Sequence, residues 1–185
     1  MRIVGGRFRG LKLADVGAGD PAAHLRPTTD RVREAIFNLI LNSHGFPIDD
    51  ARVLDLFAGT GALGLEALSR GAGHVTFVDN GAASKALLKA NIDKARAGAV
   101  TETLRKDAAA MGPNKSAGFD LVLLDPPYGQ GLGERAVSSA MAGGWLAPDA
   151  LIVWEEDTAP IPPAGLSVVD QRRYGSTLVT LLRAA

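Results

Sequence analysis

The sequence predicts a doubly wound α/β fold, in which helices cover both faces of a mostly parallel, seven-stranded sheet. From residue 52 onward, short apolar runs alternate with segments of helical period, which is the pattern of parallel βαβ units. A glycine-rich segment directly after the first run indicates a ligand-binding loop that opens a helix. Two final runs flank the turn Tyr174-Gly175-Ser176, so we expect the sheet to end in an antiparallel hairpin.

The first residues predict a small β-ribbon, because residues 3–4 and 11–13 read as extended segments separated by glycines. No acid opposes its cations before Asp15, and an aromatic ring lies among them, a mixture that suits RNA phosphates and bases. We therefore expect RNA binding by Arg2, Arg7, Phe8, Arg9 and Lys12. The alternatives are a solvated basic face and, for Phe8, a core anchor. We assign residues 1–24 to this ribbon and its linker, and residues 25–185 to the main domain.

A helix is expected next, since residues 28–30 are all N-cap types and apolar residues recur from Val32 at helical spacing to about Asn42. The start of this helix is more polar than capping requires. Free N–H groups at a helix start can bind a carboxylate, so we expect Thr28 and Arg31 to contact the carboxylate of a cofactor. Plain capping is the alternative.

The remaining elements follow the alternation of short apolar runs and helical segments. Strands are expected at residues 53–57, 75–79, 103–105, 119–124, 151–155, 166–172 and 177–183. Helices are expected at residues 63–70, 83–96 and 134–142. This order predicts a doubly wound sheet whose last strands include an antiparallel one.

The loop after the first strand contains Gly59, Gly61 and Gly64, which allow backbone N–H groups to approach a ligand closely. Because Asp79 ends the next strand, the pattern also fits a nicotinamide-dependent oxidoreductase, and the loop alone does not decide. Asp55, however, would oppose a pyrophosphate and suit the cationic groups of S-adenosyl-L-methionine. The residues expected to bind this cofactor are Asp55, Phe57, Ala58, Gly59, Thr60, Gly61, Asp79, Asn80, Asp107 and Ala108.

The sequence Asp125-Pro126-Pro127-Tyr128 follows the buried run at residues 121–124, at the edge of the sheet where ligands bind in open α/β folds. The prolines stiffen the turn. The Asp125 carboxylate and the Pro126 carbonyl form a fork that accepts two N–H bonds from a planar amino group, and Tyr128 offers a ring face to a base. We expect these four residues to be catalytic. The alternative is an ordinary turn in which the prolines stop the strand.

Asp-Pro-Pro-Tyr resembles the signature with which S-adenosylmethionine-dependent methyltransferases hold an exocyclic amino nitrogen. Residues 2–13, 25–38, 55–70, 125–128 and 144–154 together are similar to small bacterial methyltransferases that modify the N2 amine of a guanine in small-subunit (16S) ribosomal RNA. The resemblance covers nearly the whole chain. It implies a Rossmann-like class I methyltransferase fold, S-adenosylmethionine as cofactor, and ribosomal RNA or the assembling small subunit as partner. In one departure, Gly81 replaces an acid that the family usually has.

Composition limits the classes of protein to consider. Apolar residues make up 46% of the chain and charged residues 22%, and no apolar run approaches the roughly 20 residues that cross a bilayer. The first residues lack the apolar core of a signal peptide and there is no cysteine, so we expect a cytoplasmic protein with no membrane partner. Three scattered histidines indicate no metal site, and we expect a monomer.

Three other functions remain open from the sequence. An amino-methyltransferase could act on adenine or cytosine of DNA or of another RNA, although no separate target-recognition domain is visible. A nicotinamide-dependent oxidoreductase would use the same glycine loop, but would have no use for Asp125-Pro126-Pro127-Tyr128. A non-catalytic RNA-binding protein would use only the ribbon.

Overall fold

A seven-stranded sheet organises the computed structural model, which describes residues 1–15 and 29–184. Its strands are β1 (Arg52–Leu56), β2 (His74–Val78), β3 (Thr101–Leu104), β4 (Phe119–Leu124), β5 (Leu146–Glu156), β6 (Leu166–Tyr174) and β7 (Thr177–Ala184). The helices are α1 (Asp30–Asn38), α2 (Ala62–Ser69), α3 (Ala82–Lys94) and α4 (Leu132–Ala142). The strand order is β3-β2-β1-β4-β5-β7-β6, with the first five parallel and β7 antiparallel to both neighbours. This architecture confirms the predicted fold class.

The strand order reverses direction at β1, which lies between β2 and β4. β1 and β4 pair in register, with Asp55 opposite Leu123 and Leu56 opposite Leu124. Both strands therefore end at the same level, and the loops that follow them start side by side. This is the switch point at which ligands bind in doubly wound sheets.

The central strands are buried on both faces. Along β4, Leu121 and Leu123 belong to a hydrophobic cluster that includes residues of α1, α2 and α3, whereas Val122 and Leu124 belong to a second cluster with α4. All four side chains are at most 1% exposed. A strand buried on both faces needs apolar residues at every position, which is why this run was visible in the sequence.

Most element boundaries lie within a few residues of their predicted positions. The first helix continues beyond α1 as a π-helical turn, Leu39–Ser43, in agreement with the predicted end near Asn42. β5 is the main exception, because it begins at Leu146, five residues before the predicted start at 151. Its first half contains Pro148 and a left-handed Asp149, and its pairing with β4 shifts register there, so no apolar run marks it. Within the described ranges, no helix combines the length and apolarity needed to span a membrane.

The predicted N-terminal ribbon is present as one antiparallel bridge between Arg2 and Lys12. Ile3 N–H donates to the Leu11 carbonyl at 3.0 Å, and a short 3-10 turn, Gly6–Phe8, reverses the chain. Ile3 and Leu13 are buried in the same hydrophobic cluster as α1. The ribbon is thus built onto the main body. The domain boundary expected at residues 24–25 lies outside the described residues, as does Thr28.

A buried carboxylate holds the ribbon in place. Glu66 of α2 is 0% exposed and accepts hydrogen bonds from Val4 N–H at 2.9 Å, Gly5 N–H at 2.8 Å and Arg70 Nε at 2.8 Å. Its Oε2 also lies 3.6 Å from Nε of Arg33, whose side chain is 0% exposed.

Arg33 extends this network to the start of α1. Its Nη2 donates to Asp30 Oδ1 at 2.7 Å and to the backbone carbonyl of Arg2. Partial burial raises the pKa of Asp30, but the hydrogen bonds that it accepts from Arg2 N–H and Arg33, together with the positive charge of Arg33, outweigh burial and hold this pKa below its usual range. The ribbon, α1 and α2 are therefore joined by one charged cluster.

We predict that Glu66→Ala lowers the free energy of unfolding by about 3–5 kcal/mol, because the substitution breaks a buried ion pair from one side. Urea unfolding measures this loss, and hydrogen exchange should show faster exchange of the Val4 and Gly5 amides, whose acceptor is removed. Lys89→Ala is the control, since it breaks the exposed pair of Lys89 and Asp93 at 2.6 Å and should leave the midpoint nearly unchanged. Equal losses in the two variants would contradict this interpretation.

Candidate active site

A cavity of about 500 Å³ opens where β4 and β5 end. Its wall is formed by the first turn of α1, the loop after β4, the last residues of β5 and the turn between β6 and β7. Asp125 and Tyr128 both line it, as does Arg31. The two side chains that the sequence assigned to a target amine and base are therefore brought to one site. Pro126 is buried and Pro127 half-buried between them.

Other residues of this cavity were not predicted. Glu155 and the turn residues Arg173, Tyr174 and Ser176 line it as well. In the sequence, Glu155 was visible only as part of an acidic run, and Tyr174-Gly175-Ser176 only as a hairpin turn. Glu155 lies near the end of β5, directly beside the point where β4 leads into Asp125, and that position was the signal that could have identified it.

The backbone of the glycine loop between β1 and α2 adopts left-handed conformations, which few residue types other than glycine tolerate. Gly59 and Gly61 have φ values of 54° and 78°, and Phe57, which leaves β1, has a φ of 58°. A left-handed conformation at an aromatic residue is strained, and such strain is typically found at ligand sites. Gly61 N–H donates to the Ala58 carbonyl at 2.7 Å, which closes the turn.

Gly64 allows α2 to pack closely over β1 and β2. A Cβ atom added at Gly64 would lie 2.8 Å from Val75 Cγ1 and 2.9 Å from Asp55 Oδ2, so no larger residue fits without displacement. The start of α2 is therefore held against the ends of these strands, which is the packing that the third glycine of a nucleotide-binding loop provides. The loop backbone, with this glycine beneath it, fits a nucleoside-containing cofactor.

Asp79 connects the end of β2 with the glycine loop. Its Oδ2 accepts Gly59 N–H at 2.8 Å and its Oδ1 accepts Gly81 N–H at 2.7 Å. A carboxylate has about four lone-pair sites, so capacity remains for the two hydroxyls of a ribose. A Cβ atom at Gly81 would lie 3.0 Å from Asp79 Oδ1, so the glycine at this position relieves crowding at the acid.

Asp55 lies beneath the loop, where it is 1% exposed and accepts Gly64 N–H at 2.9 Å. Burial raises its pKa, and although the Gly64 hydrogen bond opposes this, the nearby charges of Asp125 and Asp79 raise it further, to about 8. The carboxyl group is therefore mostly neutral at pH 7. The sequence predicts that Asp55 lies in the pocket, where its charge would suit a cationic cofactor. The structure buries it beneath the loop, and its role toward the cofactor stays a prediction.

The remaining residues assigned to the cofactor lie at the same edge of the sheet. Asp107 is exposed after β3 and caps a 3-10 turn, Ala108–Ala110, by accepting Ala109 N–H at 2.8 Å. Asn80 is exposed after β2. Thr60 is buried in the loop, and its carbonyl accepts a hydrogen bond from Asn91 of α3 at 2.9 Å. These positions are compatible with an adenosine above β2 and β3, and their cofactor contacts remain predictions.

The ribbon presents its cations outward. Arg2, Arg7, Arg9 and Lys12 are all exposed. The Arg7 guanidinium covers the Phe8 ring at 4.6 Å, and this ring is half-buried against the hydrophobic core. A base that approaches this face would thus contact the Arg7 guanidinium before it could contact the Phe8 ring.

A second cavity, of about 360 Å³, separates the ribbon from α1. Three arginines, Arg2, Arg9 and Arg31, line it, together with Asp30 and Glu34. Arg31 borders both cavities, so the arginine that we expected at the cofactor lies between the ribbon and Asp125.

Comparison with known proteins identifies the family. The family described as "Conserved hypothetical protein 95" matches residues 1–183. "Ribosomal RNA small subunit methyltransferase D" of Escherichia coli (strain K12) is 38% identical, over 98% of this chain and 88% of the relative. "Putative rRNA methyltransferase YlbH" of Bacillus subtilis (strain 168) is 33% identical, over 99% of this chain and 98% of the relative.

Solved structures agree with these relatives. The "Putative methyltransferase yhhF from Escherichia coli" superposes with a TM-score of 0.83 at 35% identity, covering 100% of this chain and 97% of that one. The "putative methylase HI0767 from Haemophilus influenzae" gives 0.77 at 32% identity, covering 99% and 97%. The resemblance to methyltransferases drawn from the sequence is confirmed. The chain belongs to the Conserved hypothetical protein 95 family and has the Rossmann-like fold of its methyltransferase relatives.

Proposed function

We propose that this protein transfers the methyl group of S-adenosylmethionine to the N2 amine of a guanine in small-subunit ribosomal RNA. One observation carries the proposal: the glycine loop after β1 and Asp125-Pro126-Pro127-Tyr128 after β4 start from adjacent, in-register strand ends. The first loop suits a cofactor and the second suits an amine. Both relatives reported above carry a ribosomal RNA methyltransferase, in one case a "Putative" one, in their names, and this supports RNA as the substrate.

Residues of this chain would hold the cofactor in a defined order along the sheet. The backbone of Gly59 and Gly61 would contact it above β1, Asp79 would bind its ribose hydroxyls, and Asp107 would contact its adenine. When bound, S-adenosylmethionine supplies a methyl group activated by a sulfonium centre. The buried Asp55 provides an acid beneath the loop whose ionised form favours a bound cation.

The loop after β4 would activate the amine by orientation. The lone pair of a guanine N2 is conjugated with the ring, so the amine is a weak nucleophile. Two acceptors, the Asp125 carboxylate and the Pro126 carbonyl, would hold its two N–H bonds and favour a pyramidal nitrogen whose lone pair points away from them. The methylated product is acidic, so a proton can leave after the transfer without a strong base. Tyr128 would stack on the base and replace neighbours lost when the nucleotide leaves its helix.

The arginine-lined second cavity supports an RNA rather than a small-molecule substrate. Arg2 and Arg9 of the ribbon line this second cavity, and Arg31 borders both it and the amine-binding cavity. The phosphates that flank an extruded nucleotide would pass along this row of arginines. DNA or a different amino base is the second candidate, and the same loop would serve it. No observation in the described part of the chain favours a nicotinamide-dependent enzyme over these.

Methyl transfer from labelled S-adenosylmethionine to ribosomal RNA and to small-subunit particles that lack the modification tests the proposal. Nucleoside analysis of the product should show N2-methylguanosine, and mapping should locate it at a specific position. Labelled adenosine or cytidine would support the second candidate. Absence of transfer together with preferential binding of NADH would refute methyl transfer altogether.

We predict that Asp125→Ala lowers single-turnover methylation by at least about a hundredfold, because one preorganised acceptor of the amine is lost. Cofactor affinity, measured by titration, should change little. Tyr128→Ala should weaken base capture by about 1–3 kcal/mol, the range for one aromatic stack, whereas Tyr128→Phe should be mild because it keeps the ring. Wild-type turnover in Asp125→Ala would show that this loop does not hold the amine.

The affinity for S-adenosylmethionine should rise between about pH 6 and about pH 9, because Asp55 is protonated below its pKa of about 8 and only its ionised form attracts a cation. Binding should accordingly release protons near neutral pH. The cofactor's own amine titrates at about 8, so the measured quantity is the difference between wild type and Asp55→Asn. Calorimetry in two buffers of different ionisation enthalpy should show fewer protons released by the variant. Identical proton release would exclude Asp55 as the linked group.

The ribbon should contribute charge to RNA binding. Arg7→Ala/Arg9→Ala should weaken RNA binding and reduce the slope of log affinity against log salt by roughly 1.4–1.8, since each phosphate contact contributes about 0.7–0.9. Cofactor affinity should not change. Lys85→Ala/Lys115→Ala removes two exposed cations elsewhere and serves as the matched control. If both double variants reduce the slope equally, the ribbon has no special role.

A further inference from the structure

We propose that Glu155 is the residue that selects guanine, and that its carboxylate accepts the N1–H of the target base while Asp125 accepts from the N2 amine. The inference rests on the proposed function and adds the basis of its specificity. It starts from two acids that the sheet places side by side in one cavity.

The pairing of β4 and β5 determines where the two acids lie. Leu124 pairs with Trp154, so Asp125 and Glu155 are the next residues on two adjacent parallel strands. Neighbouring strands are about 4.8 Å apart, a separation that the longer glutamate side chain can reduce. The two carboxylates can therefore approach adjacent atoms of one ligand.

Both strands change from apolar to acidic at the same level. On one face of β4, Leu121 and Leu123 are followed by Asp125. On the same face of β5, Leu151 and Val153 are followed by Glu155. The apolar members belong to the cluster beneath α1, and the acids occupy the next positions of that face, where the cavity opens. The period of two along each strand therefore directs both acids toward the cavity.

Glu155 is 2% exposed, although it lines the cavity. A buried polar side chain that lines a ligand cavity typically provides specificity. Arg31 and Arg173 line the same cavity and supply positive charge near the two acids.

Guanine is the base whose pairing edge fits two adjacent acceptors. Its N1–H and its N2 amine are neighbouring donors. Adenine and cytosine place an unprotonated ring nitrogen beside their amine, and that acceptor would face the Glu155 carboxylate. A site built around a particular hydrogen bond rejects analogues that cannot form it, because the buried group is left without its partner.

The test compares RNA that carries guanine with RNA that carries 2-aminopurine at the mapped position. 2-Aminopurine keeps the amine that accepts the methyl group, but its N1 is an acceptor. The wild-type protein should methylate guanine at least about a hundredfold faster in single turnover. Glu155→Gln should narrow this ratio at least about tenfold, because the amide can donate to N1 of 2-aminopurine and can accept from N1–H of guanine.

Glu102→Gln is the matched control, since it makes the same change at an exposed position on the far edge strand β3 and should leave the ratio unchanged. Loss of the O6 atom in 2-aminopurine affects every protein alike, so only the change of ratio in Glu155→Gln reports on Glu155. A purely structural role would lower both rates and leave their ratio unaltered, which would overturn the proposal.

If Glu155→Gln fails to fold, the ratio of the wild-type rates on guanine and 2-aminopurine still tests the inference. Equal rates on guanine and 2-aminopurine would show that nothing in the cavity recognises N1–H, and the inference would be wrong while the proposed function stands. A wild-type protein that methylates neither RNA would instead contradict the proposed function.

Discussion

The register between β1 and β4 is the constraint on which the rest of the site depends. Because Asp55 pairs with Leu123 and Leu56 with Leu124, the glycine loop and the Asp125 loop leave the sheet at the same level on neighbouring strands. A shift by one residue would turn every side chain of one strand to the other face and separate the loops. The hydrophobic clusters on the two faces oppose such a shift, since Leu123 and Leu124 are buried in different clusters. Packing far from solvent thus fixes the distance between the two halves of the site.

The same arrangement concentrates acids. Asp55, Asp79 and Asp125 end or follow three adjacent strands, and the last two contribute to the raised pKa of the first. Burial is the largest cause of this rise, and the two neighbouring acids add to it because ionised Asp55 would bring like charges together. An edge lined by three acids suits a cationic ligand better than it suits a pyrophosphate.

The sequence predicted the fold from local signals and the site only in part. Strands buried on both faces, such as β4, appear as continuous apolar runs, and the glycine loop and Asp125-Pro126-Pro127-Tyr128 are contiguous motifs. Features that depend on pairing left no such signal. Glu155 joins the cavity through the register of β5 with β4, and the first half of β5 is irregular, with a left-handed Asp149. The protonation of Asp55 likewise depends on burial by α2, which no local pattern reveals.

The ribbon holds its exposed arginines at a fixed position relative to the cavity that contains Asp125. Glu66 and Arg33 bind its backbone and leave its arginine side chains exposed. Since Arg33 also binds Asp30 at the start of α1, the ribbon is fixed to the helix whose first turn lines the cavity that contains Asp125. The distance between the exposed arginines and Asp125 is thus set by a buried ion pair. An RNA whose phosphates contact the ribbon would meet the cavity at a preorganised distance, and less binding energy would be lost in ordering the protein.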